Sequence, residues 1–312
     1  MKMHRTICPH SFIALLLLTG VICAQPATRP GDRAAKPEPL DAQVRAEIAR
    51  FKGKVTLFAK NLDTGQTYEI NPDEPVRTAS TIKLPIMAAV FALVAEGKVK
   101  WGDELTLTDK KKVQGTGVLA ELSDGLRLTL RDAVTLMIVL SDNTATNLVL
   151  DHVTADAVNE RLDGLGLKVT RSMRKISGGG ESKAFSEPGN KRADGSTYGI
   201  GRSTPREMVT LLEKLERGEV VSPAASREMI GILKRQQYHE GIGRTLKDVE
   251  IASKPGSLDH LRSDVGIIYT KRGRIAMAIT CEDIPEVDYT NDNPGNLLMS
   301  RLSLILIDGL GK

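Results

Sequence analysis

Cysteine is nearly absent from this 312-residue chain, which has only Cys8, Cys23 and Cys281. Two of the three fall within the first 24 residues. If that stretch is removed, Cys281 stands alone and no internal disulfide is possible. An exported protein of that kind is held by its core alone, and residues 25–312 suffice for one, as a large domain or two lobes. Excess charge of one sign is also missing. Lys and Arg number 43 against 39 Asp and Glu, a formal net charge of +4. Without residues 1–24, which contain Lys2 and Arg5 but no acid, it falls to +2. That balance gives no footing for nucleic acid or an anionic membrane as partner. Beyond residue 24 no run is long and apolar enough to span a membrane, and no repeat recurs at periods of 20–50 residues. There is no Gly-x-Ser-x-Gly elbow, no His-Glu-x-x-His helix, no cysteine cluster and no glycine-rich phosphate loop after a strand. No metal, nucleotide or other cofactor is therefore expected. The scattered His152, His239 and His260 read as structural or surface residues.

The chain opens with a basic segment containing Lys2, His4 and Arg5, then a short apolar core from Phe12 to Val21, then Ile22-Cys23-Ala24. This pattern predicts a secretory signal over 1–24 and an exported protein, periplasmic or secreted. Bulky Ile22 argues against a lipid anchor on Cys23. Residues 25–39 read as a flexible leader.

The stretch around which the rest is organised runs from Thr78 to Lys98. Hydroxyl residues open it, an almost wholly apolar run follows, and Gly97 closes it. A helix apolar on every face is a buried one. Its one strongly polar inclusion is Lys83, three residues after Ser80 and so on the same helical face. Burial favours the neutral amine, the form needed to activate a serine nucleophile. Taken alone, the pair is equally an N-cap serine and a snorkelling lysine. The same spacing recurs at Ser172 and Lys175, among arginines and glycines with no apolar helix behind it.

In chain order, a helix over 42–52 precedes a hairpin whose strands, 55–62 and 66–71, flank Asp63-Thr64-Gly65. After the central helix the signals are helical and loop-like to about Gly218. There is an apolar helix over 128–140, then helices over 144–153 and 155–162, the latter stopped by Gly164. Another opens at Thr204-Pro205 with Met208, Leu211, Leu212 and Leu215 in helical period. Strand periodicity returns over 249–257, 263–270 and 274–281, with 271–274 as a turn, and an apolar helix over 297–310 closes the chain. A lone hairpin is hardly stable, so the simplest solution joins it to the three late strands in one antiparallel sheet. Helices from both termini cover that sheet. The expected architecture of residues 40–312 is thus a two-lobe fold: an α/β lobe from 40–77 and 219–312, and an inserted all-α lobe over 78–218. Ser80 lies at their junction, a common place for a pocket.

Two further motifs stand out. Ser141-Asp142-Asn143 follows the second apolar helix, where an ordinary capped turn is the alternative. Lys254-Pro255-Gly256-Ser257 ends a strand. Gly256 there lets a ligand backbone approach and Lys254 can meet a carboxylate, or the segment is a turn with a solvated lysine. Together and in this order, Ser80-x-x-Lys83, Ser141-Asp142-Asn143 and Lys254-Pro255-Gly256 resemble the motif set of serine β-lactamases and penicillin-binding proteins. Ser141 to Leu150, Leu167 to Arg171 and Arg202 to Leu212 are most similar to the class A β-lactamases. The resemblance spans roughly residues 40–310. It implies the same two-lobe fold and a set of roles. Ser80 would be the acylated nucleophile, Lys83 would take its proton, and Ser141 would relay a proton to the leaving nitrogen. Asn143 would bind the substrate's side-chain amide and Lys254 its carboxylate. The N–H groups of Ser80 and Ser257 would form the oxyanion hole.

The chain departs from that family at two points. Aligned on Val169-Thr170-Arg171, Ile176 stands where class A enzymes carry the glutamate that positions the deacylating water. Gly180 stands where they carry an asparagine. Glu181, Glu187 and Asp194 are the only carboxylates nearby, and Glu181 is the candidate replacement. Pro255 also replaces the usual hydroxyl residue. The resemblance therefore implies a β-lactam hydrolase with intact acylation and slow deacylation, expected to act as a monomer on a small β-lactam or peptidoglycan-like substrate. The alternatives are a D,D-peptidase or esterase-like hydrolase, or a penicillin-binding sensor that stays acylated.

Overall fold

The computed structural model describes residues 39–311. The expected signal segment lies outside the described residues, as does all of the leader but Pro39. Helix α1 (Leu40–Ala49) leads into the hairpin β1 (Lys54–Asn61) and β2 (Thr67–Ile70), and short β3 (Val76–Arg77) brings the chain to the central helix α2 (Lys83–Ala95). Next come β4 (Glu104–Thr106) and β5 (Arg127–Thr129), then α3 (Leu130–Val139), α4 (Asn143–Val153) and α5 (Ala155–Gly164). Strands β6 (Arg171–Ser172) and β7 (Gly201–Ser203) bracket a long loop. Helices α6 (Pro205–Arg217) and α7 (Pro223–Leu233), strands β8 (Glu250–Leu258), β9 (Leu261–Thr270) and β10 (Gly273–Glu282), and helix α8 (Pro294–Leu310) complete the chain.

The N-terminal hairpin and the three late strands form one antiparallel sheet, ordered β2-β1-β10-β9-β8. Period-two alternation divides its faces. On β10, Ile275, Met277, Ile279 and Cys281 face a core shared with α1 and α8, while Ala276 and Ala278 join the larger core around α2. Helix α6 packs on β1, β9 and β10, so the last helix of the 78–218 segment lies on the sheet as well as against the other helices. Residues 84–91 of α2 are all buried, as the unbroken apolar run requires.

Local signals explain most helix ends. Thr129 and Asp132 make a reciprocal capping box at α3. Thr204 caps α6 through the Glu207 N–H at 3.1 Å, with Pro205 in the first turn and left-handed Gly218 (φ 74°) at the end. Ser222 and Pro223 start α7 by the same device, which the sequence reading overlooks. Helix α5 runs through Gly164, and the left-handed glycine after it is Gly166 (φ 81°). The small pairings β4–β5 and β3–β7–β6 were likewise not anticipated, since strands of two or three residues carry no readable periodicity.

Candidate active site

Ser80 sits in a 3₁₀ turn, Ala79–Ile82, that runs directly into α2. Ala79 is held at φ 46°, a left-handed conformation that costs a non-glycine residue about 1 kcal/mol or more. The strand β8 lies against this turn. A Cβ on Gly256 would come within 2.9 Å of both the Ser80 nitrogen and the Thr78 oxygen, so only glycine permits the approach.

The loop between α3 and α4 forms the facing wall. Ser141 is also left-handed (φ 51°). Asp142 is buried and fully used: one carboxylate oxygen caps α4 through the Ala145 N–H at 2.8 Å, and the other accepts the Val118 and Leu119 N–H groups at 2.7 and 2.9 Å. It thereby ties the 113–119 loop to the site, a role its place in the motif alone does not reveal. Thr116 donates to the Ser141 carbonyl at 2.7 Å, and Asn143 donates to the Gln114 carbonyl at 3.1 Å.

Two fully buried lysines meet at Ser141. Lys83 Nζ lies 2.6 Å from the Ser141 carbonyl, 2.9 Å from Asn143 Oδ1 and 3.2 Å from Ser141 Oγ. Lys254 Nζ lies 3.0 Å from the same Oγ and 2.7 Å from the Pro255 carbonyl. Burial holds Lys83 well below its ordinary pKa. The Lys254 charge lowers it further and Asp142 opposes both. Burial lowers Lys254 to about 7, against the pull of Asp264, and burial raises Asp264 to about 7. The Lys83 backbone N–H donates to the Ser80 carbonyl, but no hydrogen bond joins the two side chains; the amine is turned toward Ser141 and Asn143.

Ser80, Ser141, Asn143, Gly256 and Ser257 line one cleft of about 680 Å³, with Lys83 and Lys254 beneath its floor. The structure thus brings together every site residue named from the sequence. It does not bring Glu181, which is exposed and accepts the Gly179 N–H at 2.9 Å within its own turn. Ile176 lines the cleft instead. Its main chain is pinned twice by Asn147 of α4, which donates to the Ile176 carbonyl at 3.0 Å and accepts its N–H at 2.9 Å. Sequence reasoning named Asn147 only within the 141–150 similarity. It named Asp142 in the motif but not its tie to the 118–119 main chain, and it missed Asp264 and the cleft-lining Arg174, Glu240 and Arg262. Arg262 faces the cleft, but its guanidinium donates to the Leu258, Leu261 and Asp288 carbonyls and lies 4.9 Å from the Tyr289 ring centroid. A hydroxyl nucleophile beside a shared proton store, on rigid elements, is equipped for acyl transfer.

Residues 39–310 match the model of a family described as the β-lactamase enzyme family. Among curated proteins, β-lactamase 3 of Bacillus cereus is 25% identical over 246 residues, 77% of this chain and 73% of that protein. Among solved structures, a β-lactamase from Sphaerobacter thermophilus is 31% identical with a TM-score of 0.75, covering 87% of this chain and 96% of that one. PBP-A is 26% identical with a TM-score of 0.73, covering 86% and 94%. A mutant of PBP-A has also been solved as an acyl-enzyme complex with penicillin G, at 25% identity and a TM-score of 0.71 over the same shares.

Proposed function

We propose, from the premise that this chain belongs to the β-lactamase enzyme family, that it is of the class A type, that Ser80 is acylated by β-lactams and that the resulting acyl-enzyme is long-lived. The observation that carries the acylation half is the convergence of two buried amines on the Ser141 hydroxyl. With Lys83 neutral, its two hydrogens serve the Ser141 carbonyl and Asn143 Oδ1. Its lone pair is left for a hydroxyl proton. Ser80 Oγ bonds to the lactam carbonyl carbon while its proton passes to Lys83. The charge on the carbonyl oxygen is met by the Ser80 and Ser257 N–H groups. The C–N bond then breaks, and the nitrogen takes the Ser141 proton, which Lys83 replaces. The proton lost by the nucleophile ends on the leaving nitrogen and both lysines return to their starting states.

Deacylation needs a base for water, and Ile176 offers none. This favours a second reading alongside β-lactam hydrolysis, a penicillin-binding protein or D,D-peptidase, in keeping with the likeness to PBP-A. The exported location inferred from residues 1–24 fits either. Intact-protein mass spectrometry with benzylpenicillin, alongside absorbance of a chromogenic cephalosporin, tests the reading. A Ser80 adduct that outlasts many minutes is expected. An adduct that vanishes within seconds would refute slow deacylation, and no adduct would refute acylation.

A further inference from the structure

Two guanidinium groups line the cleft, and they differ in what they have left to give. Arg262 already donates to three main-chain carbonyls and lies against the Tyr289 ring. Arg174 makes one long bond, to the Lys175 carbonyl at 3.4 Å, and lies 5.9 Å from the Phe185 ring centroid. Among the described residues no carboxylate comes within ion-pairing distance of it. Its neighbours are satisfied. Arg171 pairs with Asp163 at 2.8 Å, Lys175 with Asp151 at 2.7 Å and Arg192 with Glu282 at 3.2 Å. Residues 171–202 carry seven Lys and Arg against three Asp and Glu, so this wall is positive as a whole. Among the described residues the one carboxylate lining the cleft is Glu240, beside Gly241, whose Cβ position abuts Asp264 of β9.

Arg174 stands two residues before Ile176, which Asn147 ties to α4 on the Asn143 side of the cleft. Under the reading above, Asn143 meets the acyl part of the substrate and Lys254 the leaving part. We propose that Arg174 is a specificity-determining residue for an anionic group on the acyl side, so that the preferred acyl donor carries a second carboxylate remote from the bond that breaks. The inference rests on that reading for the direction in which substrate lies. An unpaired, half-buried guanidinium retains most of its fork of donors for a carboxylate, which it can grip bidentately.

Three penicillins with the same bicyclic nucleus test it: α-carboxybenzylpenicillin, benzylpenicillin and α-aminobenzylpenicillin. The measurement is the second-order rate constant for Ser80 acylation, followed by intact-protein mass. The carboxylated compound is expected to acylate about tenfold faster than the amino compound. The spread should narrow in 0.5 M salt. In Arg174→Gln the ratio of carboxybenzyl to aminobenzyl rates should collapse toward one, and Arg174→Lys should restore part of it. A melting temperature checks that each variant is folded. An equal fall for all three compounds in Arg174→Gln would make Arg174 a brace for its loop and overturn the proposal. So would equal rates in the unaltered protein for the penicillins and for peptide donors alike. Acylation by none of the three would instead overturn the Ser80 reading itself. D-alanyl-D-alanine peptides with a side carboxylate free or amidated tell a peptide donor from a lactam. Preference for the free acid in either class of donor supports the proposal, and preference in neither overturns it.

Discussion

Ile176→Glu should convert a persistent acyl-enzyme into a turning-over one. Both hydrogen bonds from Asn147 go to main-chain atoms of residue 176, so they hold whatever side chain stands there. The substitution therefore replaces the apolar group facing the cleft while leaving its anchor in place. A positioned general base contributes about 10²–10⁴ in rate. With no other part of the site adapted to hold the water, the lower figure applies, about 2.7 kcal/mol off the deacylation barrier. Ile176 is only half-buried, so losing its packing costs about 1 kcal/mol of stability. Adduct lifetime on benzylpenicillin, read by intact-protein mass, should shorten about 100-fold, and steady-state hydrolysis of a chromogenic cephalosporin should rise in step. Ile176→Gln, of the same shape but without a base, should leave the lifetime long. A folded Ile176→Glu protein whose adduct lasts as long as that of Ile176→Gln would refute the claim that a missing base limits deacylation.

Asn147→Ala strands the Ile176 N–H and carbonyl and should cost about 2–4 kcal/mol, seen as a melting temperature lower by several degrees. Gly256→Ala should slow acylation at least tenfold, because the new Cβ pushes β8 away from the Ser80 turn; an unchanged acylation rate would show that the strand can shift without consequence. The buried pair should shape the pH dependence of stability. Lys254 titrates at about 7 when folded against 10.5, so the unfolded chain binds the extra proton between those values and stability rises with pH from about 7 to 10.5. Asp264 titrates at about 7 against 3.8, so the folded chain binds the extra proton and stability falls as pH rises from about 4 to 7. Asp264→Asn should abolish that acid-side fall in a denaturant series.

Much of this was legible in the sequence, and what was not has identifiable causes. The central helix announces itself by an unbroken apolar run, and the first strand of the hairpin and the three late strands by apolar residues sustained over eight or more positions. The site motifs are legible because their residues cluster at helix starts and a strand end. Asp142 illustrates the limit. Its capping of α4 is a local matter, but its two bonds to the 118–119 main chain join segments more than 20 residues apart, which spacing cannot encode. Glu181 illustrates the converse. Proximity in sequence made it a candidate, but Gly178, Gly179 and Gly180 all take positive φ (106°, 82° and 61°) and fold the segment into a turn that keeps the carboxylate on its own backbone. The low pKa of Lys254 comes from complete burial, which outweighs the pull of Asp264, and both are set by the pairing of β8 with β9 rather than by residues near in sequence.

The two halves of the site are built on different terms. The half that holds Ser80 and Ser141 is over-determined. Ala79 and Ser141 each hold a left-handed conformation worth about 1 kcal/mol or more of strain, and each is fixed from outside itself. The first is fixed by the strand against which only Gly256 fits, the second by Thr116 and both lysines. Strain of that kind persists only where the surrounding contacts leave no alternative. The facing wall is fixed just as firmly in its main chain, through Asn147, yet presents an aliphatic side chain where hydrolysis needs a base. Under the proposed reading, this braced aliphatic wall leaves an acyl group on Ser80 without a base for water, and that is the difference the Ile176→Glu and Ile176→Gln pair measures.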